Sequence, residues 1–191
     1  LSPPVAFAAG GLKLDLFLGT YDGLKAYASG DPNPTQKLDY WSGESVPAVA
    51  QIAASGEDSA TAQDVALTLT VPKVRDAEGE LLISTPAFVD SELAVQAGGG
   101  TARSETEDAW ILTYTFPSMK GGQFSQLPFN FSFLDGITPN GTTVTPTIEL
   151  KVGEVTTDTK SITFTAKSSD ANQVRQIFRN MGEYLQDNKV D

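Results

Sequence analysis

Period-two alternation constrains this chain more than any other feature of its sequence. Leu12, Leu14, Leu16 and Leu18 share one parity, with Lys13 and Asp15 between them. Val65, Leu67, Leu69 and Val71 repeat the pattern with Thr68 and Thr70 opposite. Trp110, Leu112, Tyr114 and Phe116 follow it, as do Leu127, Phe129, Phe131 and Phe133. Ile148, Leu150 and Val152 form a further run, and Ile162, Phe164 and Ala166 the last. A strand turns successive side chains to opposite faces, so each run offers one face to a core and one to water. Threonine on the wet parity keeps strand propensity without adding exposed apolar surface. Less regular strands are expected at 36–41, 46–53, 80–84 and 86–96, which brings the total to about ten. Turn formers separate them, at Asp22-Gly23, Gly98-Gly99-Gly100, Gly121-Gly122, Asp135-Gly136 and Pro139-Asn140-Gly141. In the last of these, Asn140-Gly141 is expected to supply the positive φ values of a tight connection. The predicted fold is all-β, an antiparallel β-sandwich with a C-terminal amphipathic helix.

The chain has 191 residues, enough for one large core without covalent staples. Residues 11–168 carry the alternation and are expected to form the sandwich domain. Residues 1–10 read as a leader, in which Ala6-Phe7-Ala8 has the A-x-A form of a signal-peptide cleavage site. In 169–191, Val174, Ile177, Phe178, Met181 and Leu185 recur at helical spacing, so this tail is expected to be a helix docked on the sandwich or a linker to a next module. A partner-binding helix is the sharper reading of the same stripe. No apolar run approaches the roughly 20 residues of a membrane span.

Composition excludes more chemistry than it suggests. There is no cysteine and no histidine. Disulfides, cysteine zinc sites, thiol nucleophiles and imidazole bases are all ruled out. The net charge of −11 opposes binding to nucleic acid or to an anionic membrane by bulk electrostatics. The 24 carboxylates make chance pairs common, and Glu78/Glu80, Asp90/Glu92 and Glu105/Glu107/Asp108 read as solvated loops. Neither G-x-S-x-G nor S-x-x-K occurs, nor any phosphate- or dinucleotide-binding glycine fingerprint. No catalytic residue, metal ligand or cofactor is therefore expected. Asp31, Asn33 and Thr35 begin a calcium-loop spacing but lack its glycine, and Ser42 stands where the closing glutamate belongs, so a proline-rich Asx turn is favoured. The sequons at Asn130 and Asn140 carry little weight. Trp110 is in register with Leu112 and Tyr114 and is expected in the core. The adjacent rings Tyr40 and Trp41 are the candidate ligand-binding platform. Contact loops are expected at 20–35, 97–108 and 119–126, on glycine content and polarity.

Several phrases follow one another in order: "YWSGESVPAVAQIAASGE", "DVALTLTVPK", "WILTYTFPSMKGGQFSQLPFNFSF", "GITPNGTTVTPTIELKVGE" and "KSITFTAKSSD". Over roughly residues 36–169 this resembles the Ig-like β-sandwich domains of Gram-positive cell-wall-anchored surface proteins of the adhesin type. The resemblance rests on strand phrasing rather than on a catalytic motif. It implies a non-enzymatic extracellular module at the bacterial cell surface, with a host protein or glycan as ligand and neighbouring modules of the same chain as partners. A ligand-free stalk or spacer and a carbohydrate-binding module are the alternatives. The resemblance also implies a candidate intramolecular isopeptide bond, for which Lys13 and Asn130 are the nearest fit. Both stand on the parity assigned to solvent, whereas the chemistry asks for a buried amine beside a protonated carboxyl.

Overall fold

In the computed structural model, residues 7–8, 12–57, 59–96, 98–168, 177–183 and 185 are described. The strands are β1 (Phe7–Ala8), β2 (Leu12–Gly19), β3 (Asp39–Trp41), β4 (Ser45–Ser55), β5 (Thr61–Pro72), β6 (Ala87–Phe88), β7 (Gly100–Glu105), β8 (Ala109–Lys120), β9 (Phe124–Ser132), β10 (Thr143–Val144), β11 (Thr147–Val152), β12 (Val155–Ser161) and β13 (Phe164–Lys167). Helix α1 spans Tyr21–Ala28 and α2 spans Glu92–Gln96. One five-stranded sheet runs β1-β2-β4-β9-β6 and the other β12-β11-β5-β8-β7. A three-stranded sheet, β10-β13-β3, takes its strands from both flanks, since β3 leads into β4 and β10 into β11. Every strand pair is antiparallel except β13 with β3, which run parallel.

The alternation decides which side of each sheet is dry. Leu12, Leu14, Leu16 and Leu18 of β2, Leu127, Phe129 and Phe131 of β9, and Val65, Leu67, Leu69 and Val71 of β5 all fall in one buried cluster. Trp110, Leu112, Tyr114 and Phe116 of β8 and Ile148 and Leu150 of β11 complete it from the facing sheet. The antiparallel sandwich expected from the alternation is the fold observed. The core extends into the small sheet through an edge-to-face aromatic series. Phe133 meets Phe131 at 5.8 Å, Phe131 meets Phe164 at 5.7 Å, and Phe164 meets Tyr40 at 6.1 Å between ring centroids. Such pairs add about 0.5–1.5 kcal/mol each beyond burial alone.

Several expected elements take another form. The strand expected at 86–96 is only two residues of β6 and then α2. Ser91 caps that helix, its Oγ accepting the Ala94 N–H at 3.1 Å. Residues 80–84 contribute isolated bridges at Leu81 and Ile83 rather than a strand. The segment 20–35, expected as a contact loop, opens with α1. Thr20 caps it by accepting the Gly23 N–H at 3.2 Å. Leu24 of α1 then covers Phe17 and Val49 on the outer face of the first sheet, and Tyr27 packs alongside. Strands β7 and β12 occupy sequence read as loop or left unassigned. Both are edge strands, exposed on most positions, so they never needed an apolar parity. Near the N-terminal end, Phe7 and Ala8 pair with Lys13 and Leu12 as an edge strand.

At the C-terminal end, residues 177–183 and 185 are helical. Among the described residues, a polar contact reaches the rest of the protein: Arg179 donates to Glu80 at 2.7 Å and also pairs with Glu183 at 3.4 Å. Among the described residues of the apolar stripe, Ile177, Phe178, Met181 and Leu185 are exposed and do not pack on the sandwich. Val174 lies outside the described residues.

Candidate binding site

The two rings of the expected platform part company. Tyr40 is 4 % exposed and Trp41 is 54 % exposed. They are successive residues of β3, and the pleat sends them to opposite faces. Tyr40 packs on Phe164 and donates its hydroxyl to the Lys37 carbonyl at 3.1 Å. Burial pushes its hydroxyl pKa up, while the Lys37 ammonium, 4.4 Å from the ring centroid, pulls the other way. Tyr40 is thus an anchor and not part of a platform. A two-ring surface is corrected to a single exposed indole.

Register shows what surrounds that indole. Trp41 lies beside Lys167, Asp39 lies beside Thr165, and Thr165 in turn lies beside Thr143. Directly paired residues of a sheet share a face, so these five side chains occupy the outer face of the small sheet. The inner face carries Tyr40, Val144, Phe164 and Ala166, all buried. The Lys167 ammonium stands 6.0 Å from the Trp41 ring centroid. No ion pair or side-chain hydrogen bond of Asp39 or Lys167 is present among the described residues. The threonine parity of 143–147 therefore places Thr143 on a candidate contact surface, and not on a sheet face remote from it.

The turn after Trp41 is braced on several sides. Glu44 accepts from the Trp41 N–H at 2.9 Å and from the Lys37 ammonium at 3.0 Å. These two hydrogen bonds, Lys37 first, hold its carboxyl below the ordinary value of 4.5. Ser42 donates to Asp135 at 3.3 Å, and the Ser42 N–H donates to the Lys167 carbonyl at 2.9 Å. Gly43 takes a φ of 85°, a region open to glycine, and its N–H donates to the Phe133 carbonyl. The exposed indole thus rides on a turn tied to Phe133 just past β9, to β13 and to the loop at Asp135. Sequence reading missed Asp39, Thr165 and Lys167. Their i, i+2 spacing on β3 and β13 was visible, but the parallel pairing that joins the two strands was not.

The remaining candidates separate. Lys13 pairs across to Ser55 of β4, and Asn130 pairs to Pro47 of the same strand. Eight residues of strand put them about 27 Å apart along the sheet. Lys13 is exposed and salt-bridged to Asp15 at 3.3 Å. The structure does not bring the two together, and an isopeptide bond between them is geometrically excluded. Among the described residues, the well-buried lysine is Lys73, with 7 % of its side chain exposed. It is held by Glu105, by the Thr106 carbonyl at 2.7 Å and by the Trp110 ring. Asp31 accepts the Asn33 N–H at 2.9 Å, an Asx turn. No cluster of three or more metal-ligating side chains occurs among the described residues. Trp110 is buried, as its register asks.

No protein-family model matches the chain, and no curated protein does. Among solved structures, the sixth cohesin of scaffoldin B from Acetivibrio cellulolyticus superposes with a TM-score of 0.45 at 9 % identity, over 82 % of this chain and 99 % of that one. The macrocyclization catalyst AvmM of alchivemycin A biosynthesis gives 0.44 at 9 % identity, over 87 % and 97 %. BcpA, the major pilin subunit of Bacillus cereus, gives 0.43 at 10 % identity, over 83 % of this chain and 40 % of the pilin. These are loose likenesses of strand arrangement. At such scores and identities they carry no argument about what this chain binds or where it works.

Proposed function

We propose that this chain is a non-enzymatic extracellular module of a bacterial surface protein of the Gram-positive, cell-wall-anchored kind. We further propose that it makes adhesive contacts through the outer face of the β10-β13-β3 sheet. Residues 11–168 would be the contact-making module, with 169–191 leading to a neighbour in the same chain. One observation carries the assignment of the face. Of the chain's two tryptophans, Trp110 is 5 % exposed in the core, while Trp41 is 54 % exposed. It stands there on a turn fixed by Glu44, Lys37 and Lys167. A large apolar ring kept in water on a rigid support is the usual anchor of a contact surface. Proteins place such contacts on turns and loops carried by a stiff scaffold, and a sandwich supplies one.

The test is adhesion of the purified domain to immobilised matrix proteins, glycans and cells. Trp41→Ala is expected to reduce retention at least tenfold. Phe124→Ala, which removes another exposed aromatic, 58 % exposed at the start of β9, is expected to leave it intact. Equal loss in both variants would mean general stickiness, and no loss in either would discard this face as the contact surface.

A further inference from the structure

We propose that the outer face of the three-stranded sheet binds a neutral oligosaccharide, with a pyranose ring stacked on Trp41 and its hydroxyls taken by Asp39, Thr165 and Lys167. This rests on the reading of that face as the contact surface and names the class of ligand.

Size comes first. The sheet is three strands wide and at most four residues long. That is about 10 Å by 13 Å from strand spacing and rise. A standard protein interface needs about 800 Å² from each partner. This face offers only a fraction of that. A short stretch of glycan covers it.

Composition points the same way. The centre of a protein interface is apolar, with several large side chains filling pockets. Here Trp41 is the one apolar side chain among Asp39, Thr143, Thr165 and Lys167. The rest are donors and acceptors that remain wet in the free protein. A sugar ring matches such a set. Its C–H bonds present positive edges to the negative face of the indole, while its hydroxyls need polar partners around the rim. Asp39 and Trp41 are two apart on one strand, about 7 Å from each other. A carboxylate there can accept two hydroxyls of a ring seated on the indole. Lys167 donates from the neighbouring strand, and Thr165 and Thr143 extend the polar row across the sheet.

Charge selects a neutral ligand. Asp39 and Lys167 balance on the face itself, and the whole chain carries −11. A polyanionic glycan meets long-range repulsion with a single unpaired lysine to offset it. A neutral one meets none, and its binding should change little with salt.

The measurement is titration of Trp41 fluorescence with neutral oligosaccharides of two to six units, in glucose, xylose, galactose and N-acetylglucosamine series, beside an array of the same sugars and a panel of immobilised matrix proteins. Trp110 gives a constant buried background. At least one neutral series is expected to bind and to perturb Trp41. Trp41→Ala should lose at least tenfold in affinity and Asp39→Asn several-fold, while Trp41→Phe should retain part. Circular dichroism and melting checks should show each variant folded. Saturable binding to a protein that Trp41→Ala abolishes, with no glycan bound, would overturn the oligosaccharide and leave the contact surface standing. Preference for sulfated or uronic glycans would overturn neutrality. Glycan binding indifferent to Trp41→Ala, or no binding on either panel, would overturn both the ligand and the face.

Discussion

Gly19 and Gly23 are fixed by a side chain distant in sequence. The Gln36 amide oxygen reaches the start of α1 and accepts the Thr20 N–H at 2.6 Å. A Cβ at Gly19 or Gly23 would collide with that amide. Gly19→Ala should therefore expel Gln36 and leave a buried N–H unpaired, at a cost of about 1–3 kcal/mol. In a Gln36→Ala background the same change should cost much less, and a double-mutant cycle in urea reads the difference. Two titrating groups sit at this scale as well. Tyr114 is fully buried and donates to the Val89 carbonyl at 2.8 Å. Burial first, then the Asp90 carboxylate, raises its pKa well above the ordinary value of 10.0. The unfolded chain ionises there first, so stability present below pH 10 falls as pH rises beyond it. Tyr114→Phe should flatten that alkaline loss while lowering stability at neutral pH by about 1 kcal/mol for the missing hydrogen bond. Glu44 has the opposite sign. Its depressed pKa means that the brace on Trp41 is present above the ordinary carboxylate range and is released as pH falls below it. Trp41 emission should shift in acid, and Glu44→Gln should remove that transition.

Edge strands are the weak point of any open sheet, and this protein charges them. On β7, Arg103 and Glu105 pair with Leu112 and Trp110, so they lie on the inward parity at the very edge. Arg103 ties across to Asp90 at 2.9 Å, and Glu105 holds Lys73. On β12, Asp158 and Lys160 stand beside the inward residues Leu150 and Ile148. Inward charge at an edge deters addition of a further strand, because pairing would bury it. Replacing Asp158 and Lys160 together by valine should shift sedimentation toward larger species as concentration rises, relative to the parent chain. An unchanged profile would remove the edge-protection role. These same charges explain why β7 and β12 escaped the alternation pattern, since an edge strand can be all polar and still pair.

At the scale of the whole molecule, the core joins the first five-stranded sheet to the three-stranded one through Phe133, Phe131, Phe164 and Tyr40. Phe131→Ala should cost about 3–5 kcal/mol, because the cavity would open where these two sheets meet. Lys13 and Asn130 are far apart across the first sheet. The intact mass should therefore show no loss of ammonia between these residues, and a fragment linking them would contradict the register.

Alternation alone determined the sandwich, since a period of two leaves each strand only one dry face to bury. It located the interiors of β2, β5, β8, β9, β11 and β13 and put Trp110, Phe129, Phe131 and Phe133 in the core. It could not locate α1 and α2, whose caps at Thr20 and Ser91 lie in short polar segments without a long helical stripe. At Pro139-Asn140-Gly141 it found a turn, but only Gly141 takes a positive φ, so the turn is not the doubly positive kind expected from Asn-Gly. It also could not distinguish Tyr40 from Trp41 as anchor and exposed ring. Adjacent strand residues face opposite ways, and the sequence does not say which way is out when three sheets meet. That was decided by the parallel pairing of β3 with β13, a contact between residues some 126 positions apart. The same contact brought Asp39, Thr165 and Lys167 around the indole, because a binding face is made where distant strands are laid side by side.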